Sequence, residues 1–182
     1  MKEHNKTLES IKQEYISIIW THKIQETQAE IYHIANFLLR ILNILIVVAS
    51  TCGIVSLFFT DEIIIKIATT LLTAFSLAML LVNYEFSFQE KEKNNKKAAT
   101  SLLKYRDKFR LVIAKHNDGI LQFDSFLSEA ENISSLAHEL YSDIPHASRL
   151  AVCIAKKRLL KYKESTVGPE EIEVFFGEGD LK

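Results

Sequence analysis

Apolar residues run almost unbroken through two neighbouring stretches of this chain, ILNILIVVASTCGIVSLFF at 41–59 and IIIKIATTLLTAFSLAMLLV at 63–82. A helix rises about 1.5 Å per residue, so each stretch coiled as a helix covers roughly the 30 Å hydrocarbon core of a bilayer. Only Thr60, Asp61 and Glu62 separate them. The pattern therefore predicts two membrane spans folded back as a tight helical hairpin. The competing reading, two core helices of a soluble bundle, would require a stripe of charge on their outer faces. Between Ile41 and Val82 the charges are confined to Asp61, Glu62 and Lys66.

Outside the hairpin the spacing changes. Leu8, Ile11, Tyr15 and Ile18 recur at steps of three and four, which predicts an amphipathic helix over 3–33 that can run on into the first span. The pattern weakens at His22 and Gln25. After the second span QEKEKNNKKAAT is polar on all sides. Leu102, Tyr105, Phe109 and Val112 then restore an apolar stripe until Asp118 and Gly119 interrupt it, as expected of a helix extended out of the membrane and closed by a turn. A further helix from roughly Ile120 to Tyr141 places Phe123, Leu127 and Ala130 on one face, and Ser142, Asp143 and Pro145 supply its stop. HASRLAVCIAKKRLLKYK reads as a helix with basic residues in its final turns, where they suit the helix dipole. TVGPEEIEVFF puts Pro169 at a first helical position with glutamates behind it, and Gly177 and Gly179 would end that helix. No strand-period segment and no repeat is present. The expected fold is an all-α membrane protein, a two-transmembrane helical hairpin with a cytoplasmic helical bundle. It divides into an N-terminal helix at 1–33, a hairpin at 34–83 and a C-terminal helical region at 84–182.

Composition refines this picture only when read by region. Averaged over the chain, 48% hydrophobic and 25% charged residues resemble a soluble domain, but the charges lie almost wholly outside 41–82. A net charge of -1 gives no general case for binding nucleic acid, which requires a concentrated positive field. The first apolar run begins too far from Met1 for a secretory signal, so no cleavage is expected. Cys52 and Cys153 show no pairing or CxxC spacing. The connector is acidic, whereas Lys91, Lys93, Lys96 and Lys97 follow the second span and Arg40 borders the first. The connector should thus face outward, with both termini in the cytoplasm. Tyr32, Phe37, Phe58, Phe59, Tyr84, Phe86 and Phe88 stand where interfacial aromatic anchors belong.

Candidate catalytic chemistry is sparse. None of the six histidines has a partner at a spacing that forms a metal site. HND at 116–118 reads as a helix end, and KKR at 156–158 as a solvated face. No phosphate loop, dinucleotide fingerprint or nucleophile elbow occurs. The chain is not expected to be an enzyme, nor to carry a cofactor or metal.

The polar residues inside the spans are more informative. At 100° per residue, Lys66, Thr69, Thr70, Thr73, Ser76 and Asn83 fall within an arc of roughly 140°. In the first span Asn36, Asn43 and Ser50 recur at seven-residue steps, with Arg40 and Thr51 nearby. One reading of this seam is helix packing, in which small hydroxyl residues permit close approach and Lys66 snorkels or pairs with Glu62. The other is a water-filled passage formed by several copies, because two helices alone cannot enclose a pore. The candidate pore-lining residues are Asn43, Ser50, Lys66, Thr69, Thr73 and Ser76, and the candidate outer mouth is Asp61 with Glu62.

The plan as a whole resembles a known family. A leading helix, a hairpin with a very short connector, a long helix leaving the membrane and a C-terminal YSDIPHASRLAVCIAKKRLL followed by GPEEIEVFF look like the SLATT domain, a two-transmembrane effector found beside bacterial second-messenger and reverse-transcriptase defence systems. The resemblance implies a pore-forming effector that self-associates in the inner membrane and compromises it when a sensor fires. That sensor would be a nucleotide-second-messenger synthase, a reverse transcriptase or another protein encoded nearby. The alternative is a membrane-anchored scaffold without a pore.

Overall fold

The computed structural model describes residues 2–56 and 62–164. Phe58, Phe59, Thr60 and Asp61, and the expected last helix with Pro169, Gly177 and Gly179, lie outside the described residues. Among those described, the secondary structure is wholly helical: α1 (Lys2–Ser56), α2 (Ile63–Phe86), α3 (Phe88–Asn117), α4 (Phe123–Asp143) and α5 (Arg149–Lys161). The expected all-α class is found, and the leading helix does run unbroken into the first apolar stretch as one 55-residue helix. The chain forms two compact units, Ala29–Asn94 and Met1–Gln28 with Asn95–Lys182. Both α1 and α3 contribute residues to each.

The unit Ala29–Asn94 holds the two apolar stretches. Each belongs to a helix long and apolar enough to cross a membrane, and only 11% of each apolar window is buried. The core helix of a soluble protein would be mostly buried. Here Ile44, Leu45, Leu71, Leu81, Ile63 and Ile64 are between 61% and 73% exposed. Removing one such side chain from water is worth about 1.5–3 kcal/mol, so lipid is the surrounding these faces require.

The second span does not continue directly into the next helix. Ser87 adopts a left-handed conformation, φ 43° and ψ 46°, and divides α2 from α3. A non-glycine residue there costs roughly 1–2 kcal/mol. Ser87 offsets the strain by capping both helices: its N–H and hydroxyl donate to the Asn83 and Tyr84 carbonyls, while its own carbonyl accepts from the N–H groups of Glu90 and Lys91.

In the other unit Ile11, Ile18, Leu102, Phe109, Val112, Phe126, Ala130, Ile133 and Ala137 form one core. Tyr15 lies against Phe109 with ring centroids 5.7 Å apart. The reversal between α3 and α4 is a Schellman closure. Gly119 takes φ +72° and donates to the His116 carbonyl, and Ile120 donates to that of Lys115. The closure consumes 118–122, so α4 starts at Phe123 rather than Ile120. His116 stacks on Phe126 at 4.4 Å and donates from Nδ1 to the Leu121 carbonyl. Ser148 caps α5 by accepting from the Ala151 N–H.

Candidate functional site: a polar seam in the hairpin

Within the unit Ala29–Asn94 the covered face of α1 advances by alternating fours and threes through Ala29, Tyr32, Asn36, Leu39, Asn43, Ile46, Ser50 and Gly53. Ala29, Asn36, Ile46 and Ser50 are buried and the others half-buried. On α2 the covered positions are Ile65, Thr69, Leu72, Ser76, Met79 and Asn83, with Thr73 half-buried beside them; Thr69 and Ser76 are buried. Alternation of this kind is the register of two helices that wind around each other. A close approach is marked by Gly53, where an added Cβ would stand 2.6 Å from Oγ1, 3.1 Å from Cγ2 and 3.4 Å from Cβ of Thr69. Small residues let the helices come this near, as membrane helices require in the absence of a hydrophobic driving force between them.

The sequence-derived candidates separate into groups. Ser50, Thr69 and Ser76 are buried in the hairpin, while Asn43 and Thr73 are half-buried. Lys66 and Glu62 are exposed, as is Thr70, and Asp61 lies outside the described residues. An arc of 140° is wider than one helix contact, so the polar face of α2 divides into a covered row at Thr69, Ser76 and Asn83 and an open row at Lys66 and Thr70.

Four hydroxyls of the two spans bond back to their own helices. Ser50 donates to the Ile46 carbonyl, Thr51 to Val47, Thr70 to Lys66 and Thr73 to Thr69, each at 2.8 Å. A hydroxyl carries its own proton to a helix carbonyl, which has a spare lone pair. An amide oxygen lacks that option, because the N–H groups of a helix interior are already committed. Asn43 Oδ1 is accordingly buried without a hydrogen-bond partner.

A second polar cluster, in the unit Met1–Gln28 with Asn95–Lys182, is not evident from the apolar pattern. His22, Lys23, Gln25, Thr27 and Gln28 are all buried on α1. His22 Nδ1 donates to the Ala99 carbonyl at 2.9 Å, Gln25 Nε2 donates to the Pro145 carbonyl at 3.0 Å, and Gln28 Oε1 accepts from the Ser148 N–H at 2.7 Å. Burial pushes the His22 imidazole below its ordinary pKa despite that hydrogen bond. Lys23 Nζ bridges Glu26 and Glu164, each at 2.7 Å. Burial opposes the Lys23 charge, but the bonds to Glu164 and Glu26 outweigh it and hold the pKa above the usual value. The Lys23 contact in turn holds the Glu164 carboxyl below its usual range. Gln25 Oε1 and Thr27 Oγ1 are buried without partners. The signal that finds this layer is spacing: 11, 15, 18, 22 and 25 keep the same step while the side chains change from apolar to polar.

Comparison with family models matches residues 8–171 to the SMODS and SLOG-associating 2TM effector domain family 4. Comparisons with curated proteins and with solved structures find no match. A two-transmembrane domain accords with the two exposed apolar helices and a membrane location.

Proposed function

The chain belongs to the SMODS and SLOG-associating 2TM effector domain family 4, and from that premise we propose a pore-forming membrane effector of a bacterial antiviral conflict system. Copies assemble in the inner membrane with both termini cytoplasmic. The assembly permeabilises the membrane when a sensor encoded nearby, such as a second-messenger synthase or a reverse transcriptase, signals infection. The chain itself performs no catalytic step. The family description supports the effector role and the general kind of partner.

The observation that carries a pore rather than a plain anchor is the seam itself. An anchor has no need of Asn43, Thr69 and Ser76 within its spans. The unpartnered Asn43 Oδ1 would be relieved by water or by a second chain. In this reading Asn43, Ser50, Thr69 and Ser76 close the resting hairpin and become lining when its helices part. Thr73 and Lys66 lie where neighbouring copies reach them, and Lys66 with Glu62 and Asp61 forms the outer mouth.

Purified full-length protein in liposomes of phosphatidylethanolamine and phosphatidylglycerol tests this. Trapped dye should escape at a rate that climbs faster than linearly with protein per vesicle, and Lys66→Glu should move ion preference toward cations while leaving dye release intact. A monodisperse monomer in nanodiscs together with tight vesicles at every protein density would instead assign the hairpin to a membrane-anchored scaffold. Labelling from outside intact cells should reach a cysteine placed at Asp61 and miss one placed at Lys97.

A further inference from the structure

Ser87, at the left-handed break between α2 and α3, lines a groove. Within the unit Ala29–Asn94, this groove of about 700 Å³ is lined by α1, the end of α2 and the start of α3. The groove lies where both apolar runs give way to charge, since Arg40 directly precedes Ile41 and Asn83 directly follows Val82. Its lining combines the apolar Leu80 with the cations Arg40 and Lys93 and the amides of Asn36 and Asn83.

Neither Arg40 nor Lys93 forms an ion pair among the described residues. The Arg40 guanidinium donates to Gln89 Oε1 at 3.0 Å, an uncharged partner. Glu90, also on the lining, offsets one of the two charges and leaves the groove net positive. Close by, Lys91 stands 5.4 Å from the Phe86 ring and 6.0 Å from that of Phe88, an aromatic and basic arrangement suited to the level of lipid headgroups. A soluble anion would match the Arg40 and Lys93 lining alone. Only an amphiphile matches both the charged and the apolar lining.

We propose that this groove is a binding site for an anionic phospholipid. Its phosphate lies between Arg40 and Lys93 within reach of the Asn36 and Asn83 amides, and its acyl chain leaves along Leu80. The site depends on the membrane location of the hairpin and not on whether the hairpin conducts.

Native mass spectrometry of the full-length protein released from nanodiscs reads the bound lipid directly. Phosphatidylglycerol should be retained in preference to phosphatidylcholine. Each cation near a lipid surface contributes about a fivefold change in affinity, so Arg40→Gln with Lys93→Gln should weaken retention by about twenty-fivefold. Arg40→Lys with Lys93→Arg should keep it, and Lys104→Gln with Lys108→Gln, on an exposed face of α3 away from the groove, should leave it unchanged. Equal retention of both lipids, or full retention by the glutamine pair, would overturn the assignment. Displacement of the lipid by glycerol phosphate at equal concentration would overturn it too, by giving the groove to free phosphate compounds. Matched melting temperatures of the glutamine pair and the wild type separate a lost site from a lost fold.

Discussion

Gly53 and Gly119 occupy sites that demand glycine for opposite reasons, and one substitution tells them apart. Gly119 needs its backbone angle, φ +72°, while nothing lies within 4 Å of an added Cβ. Gly119→Ala should therefore cost about 1–2 kcal/mol of stability, and Gly119→Asn less, because asparagine tolerates the left-handed region. Gly53 sits within α1 and needs space, which Thr69 occupies. A new rotamer of Thr69 cannot clear Oγ1, Cγ2 and Cβ together, so Gly53→Ala should cost about 1–3 kcal/mol through overpacking. Adding Thr69→Ala should recover much of that loss, whereas it should do nothing for Gly119→Ala; denaturant titration in micelles measures both. His22 makes a prediction of a different kind. Its folded pKa is depressed by burial, so the neutral ring stabilises the fold above the unfolded value near 6.5. That contribution is lost as pH falls below about 6.5 toward the folded pKa, where the unfolded chain gains a proton that the folded chain resists. Trp20, the single tryptophan and two residues away, reports melting in this unit. Asparagine at 22 keeps a donor for the Ala99 carbonyl but does not titrate. The melting temperature of His22→Asn should fall less between about pH 7 and 5.5 than that of the wild type, and equal slopes would place the titrating group elsewhere.

Elements were legible from sequence wherever one chemistry persisted along a face, and obscure where a face changed chemistry. The two spans, the stripe from Leu102 to Val112 and the stop at Gly119 each rest on a pattern that does not change within the element. The covered face of α1 is different: it is apolar at Ile11 and Ile18, polar at His22 and Gln25, and mixed at Asn36, Ile46, Ser50 and Gly53. Read for hydrophobicity it fades near His22; read for spacing it does not. Among the seam candidates, periodicity identified Ser50 with the polar face of the first span and Thr69 and Ser76 with that of the second. It could not show that Lys66 and Thr70 stay on the open side, since that depends on where the partner helix lies. The break at Ser87 left no trace in the pattern, because serine has no special preference for φ 43° and is held there by hydrogen bonds to Asn83, Tyr84, Glu90 and Lys91. A β-branched side chain removes the hydroxyl bond and fits the left-handed region worst. Ser87→Val should thus cost about 1–2 kcal/mol, and Ser87→Gly, which loses the bond but also the strain, should stay close to wild type in thermal melts followed by far-ultraviolet circular dichroism.

At the scale of the whole molecule, the proposed effector has to pass from a hairpin whose seam is closed to an assembly that leaks, and the close contact between Gly53 and Thr69 offers a way to forbid that step. A Cβ built on Gly53 lies 3.4 Å from the Thr69 Cβ, near the 3.5–4.5 Å separation of disulfide-linked residues. Gly53→Cys with Thr69→Cys, in a Cys52→Ser and Cys153→Ser background, should form an intramolecular bridge on mild oxidation, seen as a mobility shift reversed by dithiothreitol. Cys52 and Cys153 are both free and exposed, which makes their removal mild and the new pair the sole source of a bridge. If the seam becomes lining when α1 and α2 separate, the bridged protein should insert and assemble yet hold trapped dye, and reductant should restore release within the same vesicles. That internal control separates locking from misfolding, since a misfolded hairpin gains nothing from reduction. Dye release from the fully bridged protein would show that the helices need not part, and would move the lining to the open row of Lys66 and Thr70, where Thr70→Leu rather than any change at Thr69 or Ser76 should then dry the passage.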